Sequence, residues 1–295
     1  MSIYLTGSSG FVGQNLVSFL GDQVPIVKYS RGSIINVREE IVIHLAGKAH
    51  DSKKVSSETD YYLANTEFTK QIFDAFLDSD AKTFITLSSV KAVADVLDNE
   101  LTEDYISNPM THYGKSKLLA EEYILSKQIP AGKRVYILRP CMIHGPGNKG
   151  NLNLLYNIVS KGLPWPLGRF ENKRSFCSID NLCFIIRELI ENDQISSGVY
   201  NISDDEPLST NDLISLISSS QGKNSKIWNI PKFLIKAISR LGDIFRLPLN
   251  SERLSKLTET YVVSNIKIKK AIDKLLPINS KYGLIKTFNS FNKNA

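Results

Sequence analysis

A glycine-rich turn near the start of the chain constrains its fold more than any other feature. A short apolar run over residues 3–5 is followed by glycines at 7, 10 and 13 and by a helical pattern over residues 10–20. The first glycine permits a tight turn, the second lets a ligand approach the backbone, and the third allows close packing of the helix on the strand. The N–H groups at the start of such a helix bind phosphate. The residues predicted to line this phosphate site are Gly7, Ser9, Gly10, Phe11 and Val12.

The spacing of this turn is Gly-x-x-Gly-x-x-Gly, with Ser8 where the usual dinucleotide fingerprint has its second glycine. The alternative is therefore a purely structural turn of small residues. About 20 residues further on, an acidic side chain would bind the ribose of NAD, but the sequence there is Tyr29-Ser30-Arg31. No carboxylate repels a 2′-phosphate at this place, and Arg31 would attract one. The pattern favours NADP(H) over NAD(H), unless Arg31 is only a solvated loop residue.

Apolar runs of strand length alternate with helical patterns through the first half of the chain. The stretch between residues 31 and 40 is short for a crossover helix, so that connection is predicted to be reduced. The predicted strands are residues 3–5, 26–29, 41–45, 84–87 and 135–138, and the predicted helices are residues 10–20, 61–78 and 113–127. This alternation predicts an α/β fold, a Rossmann-type doubly wound parallel sheet with helices on both faces.

The pattern changes after residue 147. Gly and Pro at 145–147 and 162–168 predict loops, and helical patterns at 210–218, 231–244, 251–257 and 265–275 then outnumber strands. We expect an NAD(P)-binding domain over residues 1–147 and a smaller, mainly helical substrate-binding lobe over residues 148–295. A strand and helix around residues 176–191 are expected to return to the main sheet, so that the first domain is rejoined by about 176–200.

Composition and charge restrict the class of protein. The 295 residues are 42% hydrophobic and 22% charged, which is typical of a globular protein and not of a disordered one. The net charge of +6 is dispersed along the chain, which does not favour a nucleic-acid partner. Three cysteines without a Cys-x-x-Cys pair and no apolar stretch near ~20 residues indicate a cytoplasmic protein. The four histidines lack metal-ligand spacing, so no metal is expected.

Tyr113 and Lys117 stand four residues apart at the start of a helical pattern and so share one face. A phenol has an ordinary pKa of ~10, and a nearby ammonium is expected to lower that pKa toward neutrality for proton exchange. Ser89 follows the strand predicted at 84–87, at the edge where parallel sheets bind ligands. The alternatives are a surface pair for Tyr113 and Lys117 and a capping role for Ser89 or Ser88.

These motifs together resemble the extended short-chain dehydrogenase/reductases of the nucleotide-sugar epimerase/dehydratase group. The resemblance covers nearly the whole chain and is weakest over residues 218–257. It is carried by residues 6–13, 44–47, Asn65, 88–89, Tyr113, Lys117, 139–140, 145–147, 173–176 and 180–182.

The resemblance implies a role for each matching position. Ser89 would hold the C4 oxygen of the sugar, Tyr113 would act as acid and base, and Lys117 would bind the nicotinamide ribose. Arg174 would reach the diphosphate of a UDP-linked substrate. The residues that would border the cofactor are Leu45, Ala46, Gly47, Asn65 and Pro140. Asn151 and Asn153 lie where such proteins contact substrate, and the sequence does not choose between them.

Differences from the motifs of this group restrict the reactions that the chain is expected to catalyse. Dehydratases place an Asp-Glu pair after the catalytic hydroxyl, whereas Val90-Lys91 follows Ser89, which argues against dehydration. The first hypothesis is NADP(H)-dependent reduction of a 4-keto nucleotide sugar of the UDP-2-acetamido-2,6-dideoxy-hexulose type, for bacterial surface polysaccharide. The second is NAD-dependent C4 epimerisation of UDP-hexose or UDP-N-acetylhexosamine. The third is a non-catalytic NADP-binding sensor or scaffold.

Two further expectations concern partners. Relatives often dimerise through a helix pair, so a homodimer through the helices at 61–78 and 113–127 is expected by analogy. The segment 231–240 repeats basic residues at Lys232, Lys236 and Arg240. Such a stripe fits weak contact with an anionic membrane surface, although a basic stripe is more often a solvated helix face.

Overall fold

The computed structural model describes residues 1–49, 57–148, 150–245 and 250–292, with backbone alone at positions 23, 151 and 292. Its strands are β1 (Ile3–Thr6), β2 (Ile26–Lys28), β3 (Ile41–His44), β4 (Thr83–Leu87), β5 (Arg134–Pro140), β6 (Met142–His144), β7 (Phe176–Ser178) and β8 (Gly198–Ile202). Six of them form a parallel sheet in the order β2-β1-β3-β4-β5-β8. The predicted Rossmann-type sheet is confirmed.

Helices cover both faces of this sheet and build most of the C-terminal region. They are α1 (Phe11–Leu20), α2 (Glu58–Tyr61), α3 (Phe68–Leu77), α4 (His112–Leu125), α5 (Asn151–Ser160), α6 (Ile179–Glu191), α7 (Thr210–Ser220), α8 (Lys232–Phe245), α9 (Ser251–Thr258), α10 (Ile266–Ile272) and α11 (Ser280–Asn292). A π-helical segment, Tyr62–Glu67, joins α2 to α3. As predicted, no helix forms between residues 31 and 40, which the structure describes in full. Helices α5 and α11 were not predicted.

The inner strands of the sheet are largely buried on both faces because apolar residues predominate in them, whereas the edge strand β2 is partly exposed. Side chains alternate along each strand. Thus Ile3 and Leu5 pack in one hydrophobic cluster with residues of α1 and α6. Tyr4, between them, packs in another cluster with residues of α3 and α4. The carboxyl ends of the parallel strands therefore meet along a single edge, which is where turns and loops can place functional groups.

One predicted strand lies elsewhere than expected. The strand around Phe176, β7, pairs with β6 in a separate two-stranded sheet. The prediction that it returns to the main sheet is wrong, because β8 occupies the place beside β5. The helix that follows, α6, does pack in the cluster of the main sheet.

A third hydrophobic cluster builds the C-terminal region from parts of α5, α7, α8, α9 and α11 around Phe176 and Trp165. Ile268 and Ile272 of α10 pack instead in the cluster of the main sheet. The chain therefore crosses between the two regions more than once after Gly147. The domain boundary at that residue remains a prediction.

Candidate active site

The turn after β1 has no room for side chains at two of its glycines. Gly7 has a φ of 73°, and a Cβ there would lie 2.5 Å from the backbone nitrogen of Ala46. A Cβ at Gly13 would overlap the Gly7 carbonyl oxygen. The turn therefore packs against the loop that follows β3, and α1 packs against the turn. This close packing is the geometry that the spacing of the glycines predicts.

Within the described residues, no side chain caps the first turn of α1. Gly10 is the N-cap, so no side chain caps the helix, and the first turn contains no acidic residue. Ser9 and Gly10 are exposed, whereas Phe11 and Val12 are half-buried. The positive end of the helix dipole is thus partly exposed at the sheet edge, as binding of a diphosphate requires.

Beside this turn, two side chains closely approach the backbone at Gly47. A Cβ at Gly47 would lie 2.8 Å from Asn65 Oδ1 and 3.0 Å from Lys117 Nζ. The structure therefore brings together a backbone position after β3, an amide from the π-helical segment and an ammonium from α4. Leu45 and Ala46, half-buried, connect this group to the Gly7 turn.

Asn65 is fixed by hydrogen bonds on both sides. Its Oδ1 accepts the Lys48 backbone N–H at 2.8 Å, and its Nδ2 donates to Ser116 Oγ at 3.0 Å. The Thr66 hydroxyl donates to the Ser116 carbonyl oxygen at 2.7 Å. The π-helical segment is thereby attached to α4, and such segments are frequent at functional sites. The amide is a fixed element of the site wall.

Burial controls the protonation of Lys117. Its Nζ donates to the Leu87 carbonyl oxygen at 2.9 Å. Burial lowers the pKa of Lys117 from 10.5 to about 8, and the nearby Glu121 carboxylate opposes that shift. Glu121 is itself paired with Arg139, whose Nε donates to its two carboxylate oxygens at 3.1 and 3.0 Å. The ammonium is charged at neutral pH but close to losing its proton.

Tyr113 lies one turn before Lys117 on α4 and shares a side-chain hydrogen bond with Ser89. Burial raises the pKa of Tyr113 above its ordinary value of 10.0, the Ser89 hydrogen bond lowers it, and the neighbouring Tyr61 raises it. The lowered pKa predicted for this phenol is not found, because burial outweighs the Ser89 hydrogen bond. This hydrogen bond brings Tyr113 and Ser89 together at the sheet edge.

The two serines after β4 have different environments. Ser89 Oγ accepts the Lys91 backbone N–H at 3.2 Å and so also caps the short 3₁₀ turn Val90–Ala92. Among the described residues, the buried Ser88 Oγ has no hydrogen-bond partner. Ser88 lines a cavity of about 10 Å³ together with Lys117 and Glu121, enough space for about one water molecule. The capping role considered for either serine belongs to Ser89.

Lys91, two residues after Ser89, belongs to a cluster of charged side chains. Lys91 Nζ lies 4.1 Å from the ring centroid of Tyr261, whose hydroxyl donates to the Ala94 carbonyl oxygen at 2.7 Å. Arg174 Nη2 lies 4.0 Å from the Glu259 carboxylate, and its charge lowers the pKa of Lys91, which burial lowers more strongly. Lys91 and Arg174 therefore share this cluster with the carboxylates of Asp95 and Glu259, both of which raise the pKa of Lys91. The two cations are the members of the cluster that attract an anion.

Sequence reasoning missed several members of this arrangement. Glu121 has a local signal, because it lies four residues after Lys117 on the same helix face. Lys91 was considered only as a departure from the dehydratase pattern. Tyr261 and Glu259 have no local signal, because only the return of the chain after α9 places them beside Lys91 and Arg174.

The remaining predicted residues lie around this centre. Arg31 is exposed on the turn after β2, and Pro140 is buried at the end of β5. Asn153 Oδ1 accepts the Gly150 backbone N–H at 3.1 Å and so helps to cap α5. Asn151 begins that helix, and its side chain lies outside the described part of the chain. Their contacts with cofactor or substrate remain predictions.

The fold and the site define a class: a Rossmann-fold enzyme that uses a nicotinamide dinucleotide. The sequence matches the NAD dependent epimerase/dehydratase family over residues 32–203. The chain belongs to that family, and the resemblance to extended short-chain dehydrogenase/reductases is confirmed. The glycine cradle and the uncapped α1 fit the diphosphate of the cofactor, and the group of Gly47, Asn65 and Lys117 fits its ribose.

Similar proteins include sugar 4-epimerases and an NADPH complex. The chain is 31% identical over 265 residues to UDP-glucose 4-epimerase of Vibrio cholerae, covering 78% of each chain. It is 27% identical to N-acetyl-α-D-glucosaminyl-diphospho-ditrans,octacis-undecaprenol 4-epimerase of Escherichia coli O157:H7, covering 91% of this chain and 85% of the other. The structure of RMD from Pseudomonas aeruginosa complexed with NADPH superposes with a TM-score of 0.75 at 20% identity, covering 100% of this chain and 99% of that one.

Proposed function

We propose that this enzyme uses NADPH to reduce the 4-keto group of a nucleotide sugar, of the UDP-2-acetamido-2,6-dideoxy-hexulose type, for bacterial surface polysaccharide. The observation that carries the choice of a reductase is Arg31, exposed directly after β2 where NAD-binding proteins have a carboxylate. A reductase draws on a soluble pool of reduced cofactor, and NADPH is distinguished from NADH by its 2′-phosphate alone.

The bound nicotinamide would supply hydride to the C4 carbonyl carbon of the sugar. Ser89 would hold the carbonyl oxygen through its hydroxyl, which would exchange its hydrogen bond with Tyr113 for one to the substrate while its own oxygen accepts the Lys91 N–H. Tyr113 would give its proton to the oxygen as negative charge develops there. Its raised pKa keeps the phenol protonated at neutral pH, which is the form that reduction needs.

Lys117 would bind the nicotinamide ribose from beside Gly47 and Asn65. Its Nζ already donates to Leu87, and an ammonium has three donors, so two remain for ribose hydroxyls or a connecting water. Leu45, Ala46 and the buried Pro140 would shape the cofactor pocket around it. These contacts orient the ring relative to Ser89 and Tyr113.

The substrate diphosphate would lie against Arg174 and Lys91, with Asn151 and Asn153 at the start of α5 as further candidate contacts. The same Lys91 stands close to the position where dehydratases have an acidic pair. Its ammonium is held between the Tyr261 ring and the Asp95 carbonyl oxygen. A cation cannot take the proton that elimination requires, which supports reduction over dehydration.

Cofactor exchange tests the assignment. The purified protein is incubated with the 4-keto sugar nucleotide and either NADPH or NADH, and oxidation of the cofactor is followed by absorbance. We expect turnover with preference for NADPH, and Arg31→Asp is expected to reverse that preference. Arg38→Asp, an exposed arginine on the same loop, is the control for the general charge of the loop. Equal rates with both cofactors in the wild type and both variants would contradict the role of Arg31.

C4 epimerisation is the second candidate, and the identities to two sugar 4-epimerases favour it. An epimerase also needs Ser89, Tyr113 and Lys117, but it retains the oxidised cofactor and has a pocket in which the keto sugar can rotate to present its other face. Retention of NAD through purification, with interconversion of UDP-N-acetylhexosamines and no net oxidation, would establish it over the reductase.

The oligomeric state is also proposed. A homodimer through α3 and α4 with the preceding π-helical segment would cover Leu63, Leu119 and Leu125, which are 57%, 44% and 59% exposed. Light scattering coupled to size exclusion measures the mass directly. A monomer at all concentrations would contradict this proposal without bearing on the reaction.

A further inference from the structure

Helix α8 has apolar residues on two opposite sides. Ile235, Ser239 and Gly242 are buried toward the protein, at spacings of four and three residues. The side that faces away from the protein is also apolar. Its large side chains are Phe233, Leu234, Ile238, Leu241, Ile244 and Phe245, which are 70%, 44%, 46%, 50%, 72% and 68% exposed. A continuous apolar stripe in water is unusual and indicates an interaction surface.

The charges of α8 are arranged along one border of this stripe. Lys232, Lys236 and Arg240 follow each other at intervals of four residues, and all three are exposed. Asp243 is the single acidic residue of the helix. Trp228, 56% exposed, lies shortly before the helix begins. The surface therefore combines an apolar centre with a basic edge.

This combination fits the interface of an anionic bilayer. An amphipathic helix that lies in the plane of a membrane has aromatic and aliphatic residues on one face and Lys or Arg beside them. Each cation near an anionic leaflet adds to the attraction. Within the described parts of the chain, no helix is long and apolar enough to cross a membrane, so the contact is with the surface.

We propose that α8 docks this protein on the surface of an anionic phospholipid bilayer. The stripe from Phe233 to Phe245 enters the boundary between head groups and acyl chains, and the basic edge binds lipid phosphates. An antiparallel two-fold contact of α8 with a second copy fits less well, because it places the two basic rows on the same side of the contact. The proposal depends on this surface alone and not on the reaction proposed above.

Vesicle flotation tests it. The protein is mixed with vesicles made of equal parts phosphatidylethanolamine and phosphatidylglycerol, or with phosphatidylcholine vesicles, and the bound fraction is measured at low and high salt. We expect binding to the anionic vesicles, weakening with salt, and much weaker binding to phosphatidylcholine.

Two variants locate the contact. Phe233→Ser/Ile244→Ser removes exposed apolar area and is expected to reduce partitioning at least roughly tenfold. Lys236→Glu reverses one charge and is expected to reduce it roughly twentyfold. The matched controls are Leu275→Ser, 81% exposed on another surface, and Lys281→Glu, exposed at the start of α11. Both controls should bind like the wild type, and circular dichroism should show the same folded state in all variants.

Other outcomes overturn the proposal. Failure of the wild type to float with anionic vesicles does so, as does undiminished binding of both α8 variants. If light scattering shows that the apolar variant converts an oligomer to a monomer, the stripe is an interface between copies of the chain. Binding that is equal for phosphatidylcholine and insensitive to Lys236→Glu would refute the role of the basic edge.

Discussion

Lys117 is expected to destabilise the fold that carries it. Its pKa falls from 10.5 to about 8 on burial, and a pKa change of one corresponds to about 1.4 kcal/mol in the free energy of unfolding. Below pH 8 the lysine is protonated in both the folded and the unfolded chain, so the whole penalty, roughly 3 kcal/mol, opposes folding. Between pH 8 and 10.5 the folded chain releases the proton first, and the penalty declines to roughly 1 kcal/mol near pH 10.

Lys117→Met should therefore stabilise the protein at neutral pH while removing the proposed ribose contact. The variant loses the hydrogen bond to the Leu87 carbonyl, at a cost of about 1 kcal/mol because that half-buried group can bind water instead. The Glu121 carboxylate keeps its partner Arg139. The net gain in the free energy of unfolding is expected to be about 2 kcal/mol at pH 7 and close to zero at pH 10.

Urea unfolding followed by circular dichroism measures this difference at both pH values. The protein is kept free of cofactor, because a ligand would stabilise the wild type by mass action. Lys115→Met, exposed on the same helix, is the control and should change stability by less than about 0.5 kcal/mol. A variant at position 117 that is less stable than the wild type at pH 7, or whose advantage persists at pH 10, would refute the reasoning.

Three further predictions concern the site. Tyr113→Phe should lower turnover about 10²–10⁴-fold with little change in cofactor affinity measured by fluorescence titration; undiminished turnover would remove the phenol from the mechanism. Gly13→Ala should lower the free energy of unfolding by about 1–3 kcal/mol and also weaken cofactor binding, because the added Cβ overlaps the Gly7 carbonyl oxygen. Thermal unfolding measures the first effect and the fluorescence titration the second. Wild-type values in both measurements would show that the turn can adapt. Glu121→Gln should lower the free energy of unfolding by about 3–5 kcal/mol, because it leaves the buried Arg139 guanidinium without its charged partner. The double variant Glu121→Leu with Arg139→Met should recover much of that loss, as measured by urea unfolding. A single variant as stable as the wild type would contradict this prediction.

The fold of the first half of the chain is predictable from local sequence patterns. Short β-branched runs alternate with helical stretches, and each such segment forms the same element in the structure within a few residues. The glycine turn was also predictable, because only glycine tolerates the φ of position 7 and the contact at position 13. Pattern reasoning did less well after Gly147, where α5 and α11 were missed and β7 was assigned to the wrong sheet. Strand pairing there depends on which neighbour is nearest in space.

The sequence by itself determined the class of site: a cofactor turn after β1, a hydroxyl after β4, and a phenol with an ammonium on one face of α4. These follow from spacing and from the rule that parallel strands end at one edge. Only the tertiary structure decided the electrostatics, because burial and distant neighbours set them. It directed the Lys117 ammonium to the Leu87 carbonyl, raised the pKa of Tyr113, brought Tyr261 against Lys91, and left the outer face of α8 exposed.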